Sequence, residues 1–551
     1  MAIEPKQGQL KLTGNAGLGE LSVAPTRPPF LLPIVFVGGM SVMATEMCAS
    51  RLLSPYFGTS LLIWANIIGF VIIYLAVGYF IGGRIADRNP RASVLYQLTS
   101  WAALTMGLVP LLIKPVLDVA EDAFKNADGV LFYGSLIVTL LLFSAPLILM
   151  GCISPFAVRL AVTQVGKAGK TAGTISSLST VGSILGIFIP VLIMIPTIGT
   201  RRTMYVFALT LLVFSLLGLY LVKSRRTPFY ASFVVVVGVL MALSVGGIIR
   251  PAVSGELIYE HESPDNYIQV VKRQNGDGTF RNDLVLNEGR AIHSIYNLDP
   301  TKVLTGGPWD YYMVAPFFNK QLSEIQVKKV MIIGLGAGTS AKQITRAYGE
   351  KNVHIDGIEV DEEIIKVGRQ YFDMNEPNLN AVADDGRYYL ITSKDKYDII
   401  GMDAYKQPYI PFHLTTQEFF RQAKEHMTPT GVAVVNAGAP SASNGQRDFR
   451  LVEALAKTMK TVFPNVYLIN VDGYFNTIIV GTNAPTDINN FRENITQYVS
   501  NDLIKTVGTS ALQKGDIREW KIAQAFFTDD LAPVEQVIDT IILDYVLGGN
   551  K

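Results

Sequence analysis

Four short segments in the second half of the chain have residue types and spacing suited to a small-molecule site. Gly334-Leu335-Gly336-Ala337-Gly338 follows the apolar run Val330–Ile333, and its glycines let backbone amides approach a ligand closely. Glu359 lies twenty-one residues beyond Gly338, near the end of the next apolar run, where a carboxylate can accept hydrogen bonds from ribose hydroxyls. Asp384, Asp385 and Gly386 close a third run; a carboxylate there can accept from an adenine amino group or cap the helix starting at Arg387. Asp403 stands just past a fourth run, Tyr397–Met402, where it can take a proton from an amine attacking a sulfonium carbon, or cap a turn. Thr339 falls where a dinucleotide fingerprint needs its third glycine, so the spacing favours a nucleoside with a sulfonium over NAD or FAD.

The elements around these residues alternate. Strands are expected at Val330–Ile333, Val353–Val360, Tyr397–Met402, Val432–Asn436, Val466–Asn470 and Thr477–Val480. Helical segments such as Thr339–Tyr348, Glu418–His426 and Leu451–Lys460 lie between them. Alternating strands and helices imply a mostly parallel, doubly wound sheet, whose ligands bind at the carboxyl ends of the strands near the reversal of strand order. Upstream, the runs Tyr267–Val271 and Asp283–Leu286 flank Asn275-Gly276-Asp277-Gly278, a strong hairpin signal.

The first half reads differently. Only 17% of the 551 residues are charged, and the deficit is concentrated before residue 250. Seven apolar stretches run Phe30–Ala49, Leu61–Gly83, Val94–Ile113, Val130–Gly151, Ile175–Ile198, Met204–Val222 and Tyr230–Ile249. Each is near the ~20 residues that cross a ~30 Å hydrocarbon core as a helix. A 29-residue polar leader and the six spans that follow exclude a cleaved signal peptide for the first stretch. The chain therefore divides into a polar tail (1–29), a membrane domain of about seven transmembrane helices (30–250), a β-hairpin region (251–328) and an α/β domain (329–551).

The net charge of +1 gives no field for nucleic acid, and two cysteines with five scattered histidines exclude a disulfide framework or zinc finger; no metal site is expected. Twelve basic residues fall in the tail and alternate loops, against five in the other loops, which places the amino terminus in the cytoplasm. Seven spans would then put the α/β domain outside. Sulfonium nucleosides, however, are made and used in the cytoplasm, and on that chemistry the domain is assigned to the cytoplasmic side of a multi-pass cell-membrane protein. Glu46 is an ionisable group within the first span. The segment Gly82 to Arg91 resembles the loop signature of major-facilitator transporters, with Pro90 in place of a glycine; in such a loop Asp87 can clamp two spans together.

Several stretches together carry a family resemblance: Glu262 to Val270, Leu286-Asn287-Glu288-Gly289-Arg290, the glycine turn, Ile358-Glu359-Val360-Asp361, Asp384-Asp385-Gly386, Asp403-Ala404-Tyr405 and Tyr474. The last 300 residues resemble the spermidine synthase (polyamine aminopropyltransferase) family, and the whole chain resembles its membrane-fused members. The resemblance implies a Rossmann-like, methyltransferase-type domain preceded by a β-hairpin region. It also implies a transferase with decarboxylated S-adenosylmethionine, or S-adenosylmethionine itself, as co-substrate and no tightly bound cofactor. Glu359 would hold the ribose, Asp385 the adenine and Asn266 the donor tail, with Gly334, Gly336, Gly338, Asp384 and Gly386 shaping the same site. Asp403 would be the proton acceptor, and Tyr405, Tyr474 and His293 would meet the substrate.

Two departures stand out: Ala337 and Lys406 occupy positions where soluble aminopropyltransferases carry aspartates that grip the diamine. A buried ammonium without a counter-charge is unfavourable by several kcal/mol, so the acceptor is expected to be an atypical amine or polyamine. Acceptor-independent cleavage or cyclisation of S-adenosylmethionine, or methyl transfer, are alternatives. A polyamine or metabolite transporter with a nucleoside-sensing domain is another. The expected partners are the lipid bilayer and a small amine, without nucleic acid, and a homodimer is compatible with the sequence.

Overall fold

The computed structural model describes residues 28–548, apart from 58–60, 125–129, 163–164, 245–249, 288–290, 321–325, 406–408 and 441–445. Glu288, Gly289, Arg290, Lys406 and nearly all of the polar tail therefore lie outside the described residues.

The elements described in the apolar half are helices: α1 (Leu31–Phe57), α2 (Leu61–Arg88), α3 (Ala92–Phe124), α4 (Val130–Gly151), α5 (Ile153–Ala161), α6 (Ala168–Ile189), α7 (Ile195–Ile198), α8 (Thr200–Leu221) and α9 (Thr227–Leu243). Among the described residues, six helical segments are long and apolar enough to cross a membrane, and α9 is a shorter apolar helix. Pro190, which has no N–H to give, opens one π-helical turn (Pro190–Met194) that joins α6 to α7. Helices α1 and α6 touch backbone to backbone. A Cβ on Gly182 or Gly186 would stand 2.1 Å from the carbonyl oxygen of Phe36 or Met40, the small-residue packing that holds helices together in lipid. Asp87, at the end of α2, pairs with Arg159 of α5 at 3.2 Å, joining two helices as the loop signature implies.

After residue 255 come four antiparallel strands, β1 (Glu256–Glu262), β2 (Tyr267–Gln274), β3 (Phe280–Leu286) and β4 (Ile292–Asn297). Their inner face, with Ile268, Val270, Leu284 and Leu286, packs on Ala337, Ile364, Val367 and Phe372 of the following unit. A buried 3₁₀ segment, Pro308–Phe318, then leads into the α/β domain.

That domain runs β5 (Lys329–Ile333), α10 (Thr339–Tyr348), β6 (His354–Glu359), α11 (Glu362–Tyr371), β7 (Leu379–Ala383), α12 (Gly386–Thr392), β8 (Tyr397–Met402), α13 (Gln417–Glu425), β9 (Met427–Gly438) and α14 (Arg450–Lys460). It ends with β10 (Asn465–Asn470), β11 (Asn476–Thr482), α15 (Ile488–Glu493), α16 (Asp502–Lys514), β12 (Arg518–Trp520) and α17 (Val534–Gly548). Sheet order is β12-β10-β11-β9-β8-β5-β6-β7; β7 to β9 are parallel, and β11, β10 and β12 add antiparallel. This is a Rossmann-like, methyltransferase-type sheet. The order reverses between β5 and β8, so the segments following these two strands open side by side, where such sheets bind ligands.

The two halves meet at one end of the helices. Arg51 of α1 donates to the Ser263 carbonyl at 3.1 Å, and the Thr200 amide at the start of α8 donates to Glu262 at 3.3 Å. The α/β half thus sits at the end of the helix bundle opposite the start of α1.

Candidate active site

The glycine turn leaves β5 with Gly334, Gly336 and Gly338 all at positive φ (82°, 56° and 87°). These values are strained for a residue with a Cβ. Space excludes one as well. A Cβ on Gly334 would meet the Asp403 and Ala404 backbone at 2.6 Å, and one on Gly336 would meet Ser294 Oγ at 2.7 Å. The turn is therefore pressed between the segment after β8 and strand β4. Thr339 explains the missing third glycine: its hydroxyl accepts from Ile295 N–H at 2.9 Å and donates to Ile295 C=O at 3.1 Å. It latches the β-hairpin region over the turn, and Ser294 Oγ adds a bond from Ala337 N–H at 2.9 Å.

Glu359 ends β6 with its carboxylate under the turn, accepting Gly336 N–H at 2.9 Å and Asp361 N–H at 3.3 Å. Burial pushes this carboxyl up to about 7, against the backbone amides of Gly336, Asp361 and Val360, which favour the charged form. Two bonds leave lone pairs for further donors, as ribose hydroxyls require. Asp361, two residues on, caps α11 through Glu363 N–H at 3.0 Å. Its other oxygen accepts from Asn266 Nδ2 at 2.9 Å and Ser263 Oγ at 2.5 Å. Asn266 is thus held beside the Glu359 corner, with Asn287 donating to its Oδ1 at 3.1 Å.

Asp403 follows β8, its amide bonded to Ile333 C=O at 2.8 Å, which seats it against the glycine turn. Asn436 of β9 donates to its carboxylate at 2.8 Å. Asn476 in turn donates to Asn436 Oδ1 at 2.9 Å, which leaves the Asn436 amino group to face Asp403. Burial raises the Asp403 carboxyl to about 6, while bonds from Asn436 and Trp309 hold it down. A buried carboxylate with a pKa near 6 is ionised at neutral pH, yet basic enough to take a proton in a transition state.

The remaining sequence candidates divide. Tyr405 approaches Asp403, but its hydroxyl donates to Asn436 C=O at 2.9 Å and accepts from Gly438 N–H at 3.0 Å, tying β8 to β9. Asp385 caps α12 through Tyr388 N–H at 2.8 Å and contacts His413 Nε2 at 3.0 Å, while Asp384 accepts Asp385 N–H at 2.8 Å. Gly386 lets α12 lie against Ile333, whose Cγ2 a Cβ would approach to 2.3 Å. His293 sits beside Gly336 with Nε2 buried and unpartnered among the described residues, and burial lowers its pKa to about 4. Tyr474 lies in the β10–β11 turn, whose carbonyls at Val471, Tyr474 and Asn476 accept from the Arg447 guanidinium at 2.9, 2.6 and 3.3 Å. Burial raises its phenol, with Arg281, Asp310 and Asp283 in electrostatic range. Asn436, Trp309, Asp361 and Ser294 escaped sequence reasoning as site residues; only Asp361, two residues after Glu359, had a local signal.

Residues 315–493 match the family model described as the spermine/spermidine synthase domain. Over that stretch the chain is similar to spermine/spermidine synthase domains. A probable polyamine aminopropyl transferase of Bifidobacterium longum (strain NCC 2705) is 33% identical over 308 residues, which is 52% of this chain. The chain spans 64% of that relative's length. A polyamine aminopropyltransferase of Vibrio vulnificus (strain CMCP6) is 25% identical over 229 residues, covering 40% of this chain and 70% of its own. Among solved structures, a probable spermidine synthase from Corynebacterium glutamicum superposes with a TM-score of 0.36 at 19% identity, covering 48% of this chain and 97% of its own. The glycine turn, Glu359 and Asp403 all lie within the matched residues, whereas His293, Asn266 and the apolar helices precede them.

Proposed function

We propose that this chain is a membrane-bound transferase that moves an aminopropyl group, or a related carbon chain, from an adenosyl sulfonium to an amine. The donor is decarboxylated S-adenosylmethionine or S-adenosylmethionine, used as a co-substrate. One observation carries the reading: Asp403, tuned to about 6, is seated against the glycine turn whose Gly336 amide is bonded to Glu359. Glu359 takes the ribose hydroxyls and Asn266 meets the donor tail. The amine lone pair attacks the carbon next to sulfur, the S–C bond breaks, and methylthioadenosine leaves with the bonding pair. The proton lost by the new ammonium goes to Asp403.

The acceptor differs from a simple diamine in its usual pose. Ala337 is 2% exposed and packs among apolar residues, so no carboxylate faces the acceptor from that position. The same observation favours, as a second reading, intramolecular displacement within S-adenosylmethionine, which releases methylthioadenosine without an acceptor. Mass spectrometry of products from the purified full chain in lipid nanodiscs, with each donor and with or without polyamines, tests both. Methylthioadenosine that needs an amine supports transfer, methylthioadenosine without one supports displacement, and S-adenosylhomocysteine would replace both readings by methyl transfer.

The apolar helices are read as a bilayer anchor. Loop charge puts the start of α1 in the cytoplasm, and the α/β half contacts the opposite ends of α1 and α8. We therefore favour the far face of the membrane for the synthase domain over the cytoplasmic side expected from donor chemistry.

A further inference from the structure

The turn between β1 and β2, Ser263 to Asn266, is held from two sides. On one side, Ser263 Oγ and Asn266 Nδ2 both donate to one oxygen of Asp361, whose own amide donates to Glu359. On the other side the partners come from the membrane helices. Arg51, near the end of α1, donates to the Ser263 carbonyl at 3.1 Å. Glu262 accepts both the amide and the hydroxyl of Thr200, the first residue of α8. A carboxylate there meets the unpaired amides and positive end of a 22-residue helix. The turn is also rigid in itself: Ser263 Oγ accepts the amides of Asp265 and Asn266 at 3.2 and 2.9 Å. An unbroken polar relay therefore runs from the ends of α1 and α8 through Ser263 and Asp361 to Glu359 and the Gly336 amide.

We propose that Arg51, Thr200 and Glu262 are positioning residues for the donor site, so that the packing of the membrane helices sets the affinity of the α/β domain for its sulfonium nucleoside. The inference rests on the donor reading above. It gives the membrane half a role beyond anchoring, because a shift of α1 against α8 pulls on the turn that carries Asn266. None of the three residues touches the reacting atoms, so their loss weakens donor binding and leaves the chemical step intact. Coupling between sites is typically worth a factor of about 5 or more.

The test uses the full chain in nanodiscs and compares Glu262→Ala and Arg51→Ala with Arg159→Ala, which breaks the Asp87 ion pair at the other end of the bundle. Hydrogen exchange without ligand reports the relay directly. Amides of Ser263, Asp265, Asn266 and residues 334–338 should exchange faster in the first two variants and as in the parent in Arg159→Ala. Titration with S-adenosylmethionine and its decarboxylated form should show donor Kd and KM raised about fivefold or more with kcat unchanged, and Arg51→Lys should recover most of the loss. Unchanged exchange and unchanged Kd in Glu262→Ala and Arg51→Ala, with a parent that binds donor, would overturn the coupling and leave the donor reading standing. A parent that binds neither donor overturns the donor reading itself, whatever the exchange data show.

Discussion

Replacing Asn436 by leucine removes the side-chain bond that holds the Asp403 carboxylate in its charged form. That bond is 2.8 Å long and is oriented by Asn476 on the next strand. A hydrogen bond to a charged group contributes roughly 1.5–3 kcal/mol, and one pKa unit corresponds to about 1.4 kcal/mol. The Asp403 carboxyl, already at about 6 through burial, should therefore rise by about one to two units. The base is the ionised form, so activity is lost as pH falls through this value. At pH 7 the ionised fraction drops from about nine-tenths to about a quarter for a shift of about 1.5 units. The assay is kcat for methylthioadenosine release at saturating donor between pH 5 and 10, where bound donor keeps Glu359 ionised. The acid limb should move from near 6 to between 7 and 8, with the high-pH plateau within about twofold of the parent. Asn476→Leu, which keeps the Asn436–Asp403 bond, should shift the limb much less. A limb still near 6 in Asn436→Leu, or a plateau lost at every pH, would show that Asn436 does not set the protonation of Asp403.

Three further outcomes are expected. Glu359 titrates near 7 in the empty site, and ribose hydroxyls bind its ionised form, so donor affinity should fall as pH drops below about 7, by up to about tenfold per unit; calorimetric Kd values at pH 5.5 and 8 check this. Thr339→Val removes both bonds that latch β4 over the glycine turn and should cost about 1–3 kcal/mol, read as a lower denaturation midpoint together with a higher donor KM. Reporter fusions at the carboxyl terminus should be active only on the non-cytoplasmic side; a cytoplasmic signal would reverse the orientation drawn from loop charge.

Much of this architecture is legible in the sequence because hydrophobic period and glycine placement are local signals. The run Tyr397–Met402 is β8 to the residue, and the turn Asn275 to Thr279 joins β2 to β3 as its Asn-Gly and Asp-Gly pairs imply. The glycine turn, Glu359 and Asp403 were readable because strand ends in a doubly wound sheet converge at the switch point. The partners that tune them were not. Asn436 is 33 residues from Asp403 and reaches it only because β9 lies beside β8. Arg51 is 212 residues from Ser263, and no periodicity links an arginine at a helix end to a turn in a distant hairpin. Asp385, a carboxylate placed before a helix, caps α12 as one of its two readings has it. The seventh apolar stretch forms a helix of 17 residues, Thr227–Leu243, and its last five residues, 245–249, lie outside the described residues.

In the proposed reaction, the cleft between the glycine turn and Asp403 receives an adenosyl sulfonium with Glu359 on its sugar. Calorimetric titration of the full chain in nanodiscs with S-adenosylmethionine and its decarboxylated form, beside Glu359→Gln, tests it most directly. Saturable heat in the parent for at least one donor, weakened about tenfold or more in Glu359→Gln, is the expected result. No heat with either donor, or equal affinity in the variant, would contradict it.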